Sequence, residues 1–259
     1  MRRKRKVILL VLAAAVVVAG GVWAIGLVRR LGAVPRVAGA GAETVVLVHG
    51  LGRTPKSMRK LKARLEEAGF RVVSWDYFST RGRIEEHGER LSAFLSSLNG
   101  ETAVTRIHIV GHSLGGIVAR YALTVERPAK MGRVVTLAPP NRGSAAARRW
   151  APILGGLIEP LGQLSDDPGS AVNRLEGPEG VEIGVIAAAS DGKVDVEDTH
   201  LPGEADHLLV SGTHTFIMDR PEVAEQVVHF LQYGRFDRSP TLKDDGAPAG
   251  PVRGGQATG

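Results

Sequence analysis

The sequence predicts an α/β domain, a mostly parallel sheet with helices on both faces, and three observations carry that prediction. Short β-branched runs alternate with stretches of helical periodicity from about residue 44 to residue 236. The runs are apolar almost without interruption, as strands buried on both faces are. The chain between them is long enough for crossover helices, which parallel pairing requires. A chain of 259 residues, 43% of them apolar, suffices for one such domain with its own core.

Taken in order, "TVVLVHG" (44–50) reads as the first strand. "PKSMRKLKARLEEAG" (55–69) reads as an amphipathic helix, with Met58, Leu61 and Leu65 on one face, Pro55 in the first turn and Gly69 past the end. "FRVVSWDY" is the next strand, and residues 83–98 give a second helix bearing Ile84, Leu91, Phe94, Leu95 and Leu98. A strand at 106–110, a helix at 114–125 and the strands "RVVTLAPP" and "VEIGVIAAAS" follow. "DHLLVSGTH" and the helix "PEVAEQVVHFLQY" close the domain at residue 236. Residues 141–179 break the alternation with glycines and prolines among apolar clusters, so they form an insertion. Residues 237–259, rich in Gly, Pro and Ala, read as a disordered tail.

Charge is segregated. Arg2, Arg3, Lys4, Arg5, Lys6, Arg29, Arg30 and Arg36 lie in an acid-free stretch, and against a chain total of +6 they leave the remainder mildly acidic at −2. A nucleic-acid partner therefore loses its electrostatic footing, and none is expected. Between the basic clusters, residues 7–28 carry no charge and as a helix would span roughly 33 Å. Residues 1–30 are thus expected to be a basic segment and a transmembrane signal anchor, with 31–43 a linker. Five cations before the span and three after it predict a cytoplasmic N-terminus and an external or periplasmic domain. The small residues at 38–42 leave open a cleaved signal and a secreted form. Absence of cysteine excludes disulfides, thiolate nucleophiles and Cys-based zinc sites.

The chemistry concentrates in "VTRIHIVGHSLGGIVARYAL" (104–123). Ser113 sits at a strand-to-helix junction where a tight, strained turn needs small neighbours, which Gly111 and Gly115 supply, and the serine is expected to stand exposed. The helix beginning at Leu114 brings its N–H and a positive dipole end to developing negative charge. A serine hydroxyl needs a base, and the base needs an orienting acid. Among the later histidines, His229 falls inside the last helix and His207 opens the last strand, whereas His214 in "SGTHTF" occupies a strand-end loop; His200 is the second candidate. Asp191 is the first acid after the preceding apolar run, with Asp195 and Asp198 as alternatives. "VLVHGLG" offers a second oxyanion donor, the Leu51 N–H, with Gly50 and Gly52 allowing close approach and His49 shaping the loop by hydrogen bonding.

"HGLG", "GHSLGG", "SDGKV" and "GTHTF", in that order over residues 44–236, make the chain resemble the α/β-hydrolase superfamily, in its small bacterial lipase and esterase branch. The resemblance implies an α/β-hydrolase fold and a serine hydrolase of acyl or lipid-like carboxylic esters. In it Ser113 is the nucleophile, His214 the base, Asp191 the acid, and the Leu51 and Leu114 amides form the oxyanion hole. No metal or organic cofactor is implied; the partners are a small acyl ester or lipid and, through the N-terminal helix, a membrane. Acyltransferases and thioesterases share the same residues, and a non-catalytic tethered binding module shares the fold. In the insertion, "WAPILGGLIEPL" (150–161) reads either as an acyl-binding wall or short lid, or as a helical hairpin closing the core.

Overall fold

The computed structural model describes residues 42–239; the expected anchor, most of the linker and most of the tail lie outside the described residues. Among the described residues no helix is long and apolar enough to cross a membrane. Six strands form one sheet: β1 (Ala42–Val48), β2 (Arg71–Trp75), β3 (Val104–His112), β4 (Met131–Leu137), β5 (Ile183–Ala188) and β6 (Asp206–Val210). Their order is β2-β1-β3-β4-β5-β6, and every pairing is parallel. Period-two alternation explains the continuous apolar runs, since successive residues enter different cores. Val46 and Val48 face one cluster, and Val45 and Leu47 face the other.

Helices α1 (Arg59–Glu67) and α7 (Pro221–Tyr233) cover the Val45 face, through Leu61, Leu65, Val223, Val227 and Phe230. The opposite face is covered by α2 (Ile84–Gly100) and α3 (Leu114–Val125), through Leu91, Leu95, Ile117 and Val118. Helix α3 is buried on almost all sides, which its glycine- and alanine-rich sequence permits. The first predicted helix divides into a 3-10 turn at Pro55–Met58 and α1 proper. Strand β3 runs to His112 because that residue still pairs with Leu137.

The insertion folds as three short helices, α4 (Ala145–Leu154), α5 (Pro160–Gln163) and α6 (Ala171–Arg174). Ala147, Leu161, Leu164 and Val172 complete the core on the α2–α3 side, and Ala147, Leu161 and Leu164 also line a cavity described below. Hydrogen bonds moor it at both ends: the Ile84 N–H donates to Gln163 Oε1 at 2.7 Å, and the Arg142 N–H donates to the Asp198 carbonyl at 2.9 Å. Asp237 and Arg238, at the start of the segment read as the tail, are hydrogen-bonded to the domain. Arg238 donates to both carboxylate oxygens of Asp206, at 2.8 and 2.6 Å, and to the His207 carbonyl at 2.8 Å, while the Asp237 N–H donates to Gln226 Oε1. These contacts join segments too distant in sequence for local periodicity to reveal.

Candidate active site

The chain runs from β1 out to β2 and then returns to place β3 on the other side of β1. That reversal opens a crevice beyond the carboxyl ends of β1 and β3, where open parallel sheets hold their ligands. The loop after β1 contains Leu51 and the turn after β3 contains Ser113, while the loops after β5 and β6 bring Asp191 and His214 to the same end.

Ser113 has φ 52° and ψ −122°, a region that residues with a side chain rarely occupy. Its neighbours must be glycine for reasons of space. A Cβ on Gly115 would lie 2.2 Å from the Val48 carbonyl oxygen, and one on Gly111 would lie 2.6 Å from the Gly116 nitrogen. The turn is thereby pressed against β1, and the serine projects from it. One expectation is corrected: Ser113 is only 8% exposed, because the insertion arches over the turn and the hydroxyl faces a cavity rather than open solvent.

The structure brings Ser113, His214 and Asp191 together. Ser113 Oγ lies 3.0 Å from His214 Nε2, placed to donate to it, and His214 Nδ1 lies 2.7 Å from Asp191 Oδ2. With Nδ1–H donating to the carboxylate, the Nε2 lone pair is left for the serine proton. Asp191 Oδ1 accepts the Lys193 and Val194 N–H groups at 2.8 and 3.0 Å. Burial of Asp191 favours the neutral acid, but the bond and charge of His214 together with the two amides outweigh it and hold the carboxyl below its ordinary value. Asp195 caps a 3-10 turn and Asp198 lies within it; neither bonds to His214.

Leu51 and Leu114 flank the serine. A Cβ added to Gly50 would meet Ser113 Cβ at 3.1 Å, so the Leu51 loop packs directly on the Ser113 turn. Among the described residues neither the Leu51 nor the Leu114 amide has an acceptor. Two unspent N–H donors beside a serine hydroxyl form an arrangement able to receive an oxyanion. The loop is held from below: Tyr77 Oη donates to the His49 carbonyl at 2.8 Å, and the Gly52 N–H donates to Ser79 Oγ at 3.0 Å. His49 shapes the loop as expected, with Nδ1 3.1 Å from the Gly50 carbonyl and its ring stacked on Tyr77.

His112, adjoining the serine in the motif, was missed by the sequence reading. Its Nε2–H donates to the His214 carbonyl at 2.9 Å, tying β3 to the loop after β6. Complete burial and the neighbouring His214 charge push its pKa down to about 3, so the ring stays neutral. Tyr77 and Ser79 escaped for the same reason: each acts through a contact with a loop some 27 residues away in sequence.

The hydroxyl opens onto a cavity of about 440 Å³, walled by Trp150, Leu154, Ile158, Leu161 and Leu164 from the insertion. Arg53 and Lys193 also line it, and among the described residues no acidic one does. The remaining candidate base, His200, lies elsewhere: it bonds Glu204 at 2.6 Å and stacks on His207 at 3.9 Å between ring centroids. His200, Glu204 and His207 are the group of metal-ligand type among the described residues, and none of them lines the cavity.

Comparisons with known proteins agree with this architecture. Residues 45–191 match the model of the alpha/beta hydrolase family. A triacylglycerol lipase of Pseudarthrobacter phenanthrenivorans is 31% identical over 111 residues, 40% of this chain and 34% of that protein. A 2-hydroxy-6-oxononadienedioate/2-hydroxy-6-oxononatrienedioate hydrolase of Paraburkholderia xenovorans is 27% identical over 66% of this chain and 60% of its own. The chain thus spans only about a third of the length of the lipase relative. The mature Bacillus licheniformis lipase BlEst2 superposes with a TM-score of 0.59 at 16% identity, covering 78% of this chain and 95% of that one. A monoacylglycerol lipase of Paleococcus ferrophilus gives 0.54 at 20% identity, over 75% and 97%. With its parallel sheet, serine turn and family match over more than half its length, the chain belongs to the alpha/beta hydrolase family.

Proposed function

We propose that this protein hydrolyses carboxylic esters of acyl or lipid-like character through an acyl-enzyme. The observation that carries the reading is the hydrogen-bonded series Ser113, His214, Asp191 opening onto an apolar cavity. Ser113 Oγ attacks the ester carbonyl carbon while its proton passes to His214 Nε2. The carbonyl oxygen, now an oxyanion, accepts from the Leu51 and Leu114 amides, and Asp191 stays ionised beside the imidazolium. His214 then gives its proton to the alkoxy oxygen, the carbon–oxygen bond breaks and the alcohol departs. Water repeats the sequence, losing a proton to His214 and releasing the carboxylic acid and the free serine.

The relatives support the substrate class, since triacylglycerol lipases are among them. A fluorophosphonate probe tests the mechanism. We expect it to label the protein at Ser113 and to leave Ser113→Ala unlabelled and without esterase activity; labelling at another residue rejects the assignment. Residues 7–28 are further proposed to anchor the domain in a membrane, on their length and lack of charge. The protein should then sediment with membranes after a carbonate wash, whereas a soluble form beginning near residue 41 identifies a cleaved signal.

A further inference from the structure

The cavity has its polarity divided. Apolar side chains from the insertion form one wall, and two cations come from the loops that carry the chemistry. Arg53 is two residues past Leu51, and Lys193 is two residues past Asp191. Arg53 is held in place: Nη2–H donates to the carbonyl of Thr215, the residue after His214, at 3.3 Å, and the guanidinium lies 6.0 Å from the centre of the Phe216 ring. Among the described residues neither cation forms an ion pair. Both charges reach the buried ring beside the serine: after burial and the His214 charge, they add to what keeps His112 neutral.

These cations are a liability in a site built for neutral esters. Catalysis requires an imidazolium at His214, and uncompensated positive charge nearby opposes it. The oxyanion arises with any ester and already has two amide donors. An anion carried by the substrate would neutralise the two cations and leave them no longer opposed to positive charge developing in the site. We infer that the preferred ester is amphipathic and anionic: its acyl chain lies along the insertion wall, and a phosphate or carboxylate on its alcohol portion lies against Arg53 and Lys193. The inference rests on the ester-hydrolase reading and narrows it to one substrate class.

The test compares kcat/KM for 1-octanoylglycerol 3-phosphate and neutral 1-octanoylglycerol, both as monomers below their micellar concentrations. We expect the phosphate ester to be preferred by roughly tenfold at low ionic strength, as two partly exposed charge contacts allow, and by less in high salt. The preference should fall close to unity in Arg53→Gln/Lys193→Gln and persist in Arg53→Lys/Lys193→Arg. Equal or better use of the neutral ester, or a preference that survives the glutamine pair, overturns the inference and leaves the hydrolase reading standing. Binding of both ligands to Ser113→Ala, followed through Trp150 fluorescence, yields the same ratio without turnover. Anion-selective binding by a protein that hydrolyses neither ester would keep the cationic site and remove the hydrolase reading. Replacing octanoyl by acetyl separates the sources: retained kcat/KM points to a soluble phosphorylated alcohol, and its loss points to a lipid.

Discussion

Ser113 is held in a backbone conformation that its side chain disfavours, and the surroundings that enforce it are glycines pressed against β1. The proposed chemistry depends on a carboxylate two bonds of the hydrogen-bonded series away. Asp191→Asn keeps the shape but offers an amide that can donate to Nδ1, stabilising the tautomer that presents Nε2–H to the serine. Turnover should drop by about four orders of magnitude with little change in Tm, measured by ester hydrolysis and thermal melting. Asp191, His214 and Ser113 were legible in the sequence because each follows a recognisable apolar run within a few residues. His112 was not, because its significance lies in a contact with a carbonyl 102 residues away, and nothing local marks it.

At the scale of elements, the six strands and the longer helices could be read from periodicity, since both sheet faces are covered and helices such as α1 and α7 show one apolar stripe. The insertion resisted because its helices are short and its residues serve two purposes. Leu161 both belongs to the core and lines the cavity. Substituting Leu161→Trp should fill the far part of that space and shift preference toward shorter acyl chains. With p-nitrophenyl esters of graded length, kcat/KM on decanoate should fall at least tenfold relative to butyrate. An unchanged profile would place the acyl chain elsewhere. The insertion is also coupled to the acid: Ser144 Oγ caps α4 through the Ala147 N–H and donates to the Lys193 carbonyl at 2.5 Å, on the loop that holds Asp191.

For the whole molecule, buried imidazoles shape the response to acid, with His112 and His108 shifted the most. Burial lowers His112 to about 3 and His108 to about 4, against an ordinary 6.5. The unfolded chain therefore binds protons that the native state refuses between about pH 6.5 and pH 4, and stability falls as pH drops through that window. Each histidine contributes about 1.4 kcal/mol per pH unit where it is protonated only on unfolding. Urea melts from pH 7 to 4.5 should show this slope, and His112→Gln should flatten it by one proton's worth.

The pairing of Arg238 with Asp206 reaches beyond the fold of one copy. Strand β6 ends the sheet, and a bare outer strand invites a second molecule to add its own backbone and so begin a polymer. Arg238 claims the His207 carbonyl and anchors itself on Asp206, and Phe236 is buried just before it. A short stretch past the last helix thus acts as a selvedge that keeps the sheet from being extended. Arg238→Ala should leave esterase activity intact at low concentration while promoting concentration-dependent self-association, which light scattering would register; a variant that stays as monodisperse as the parent would show the edge to be protected by other means.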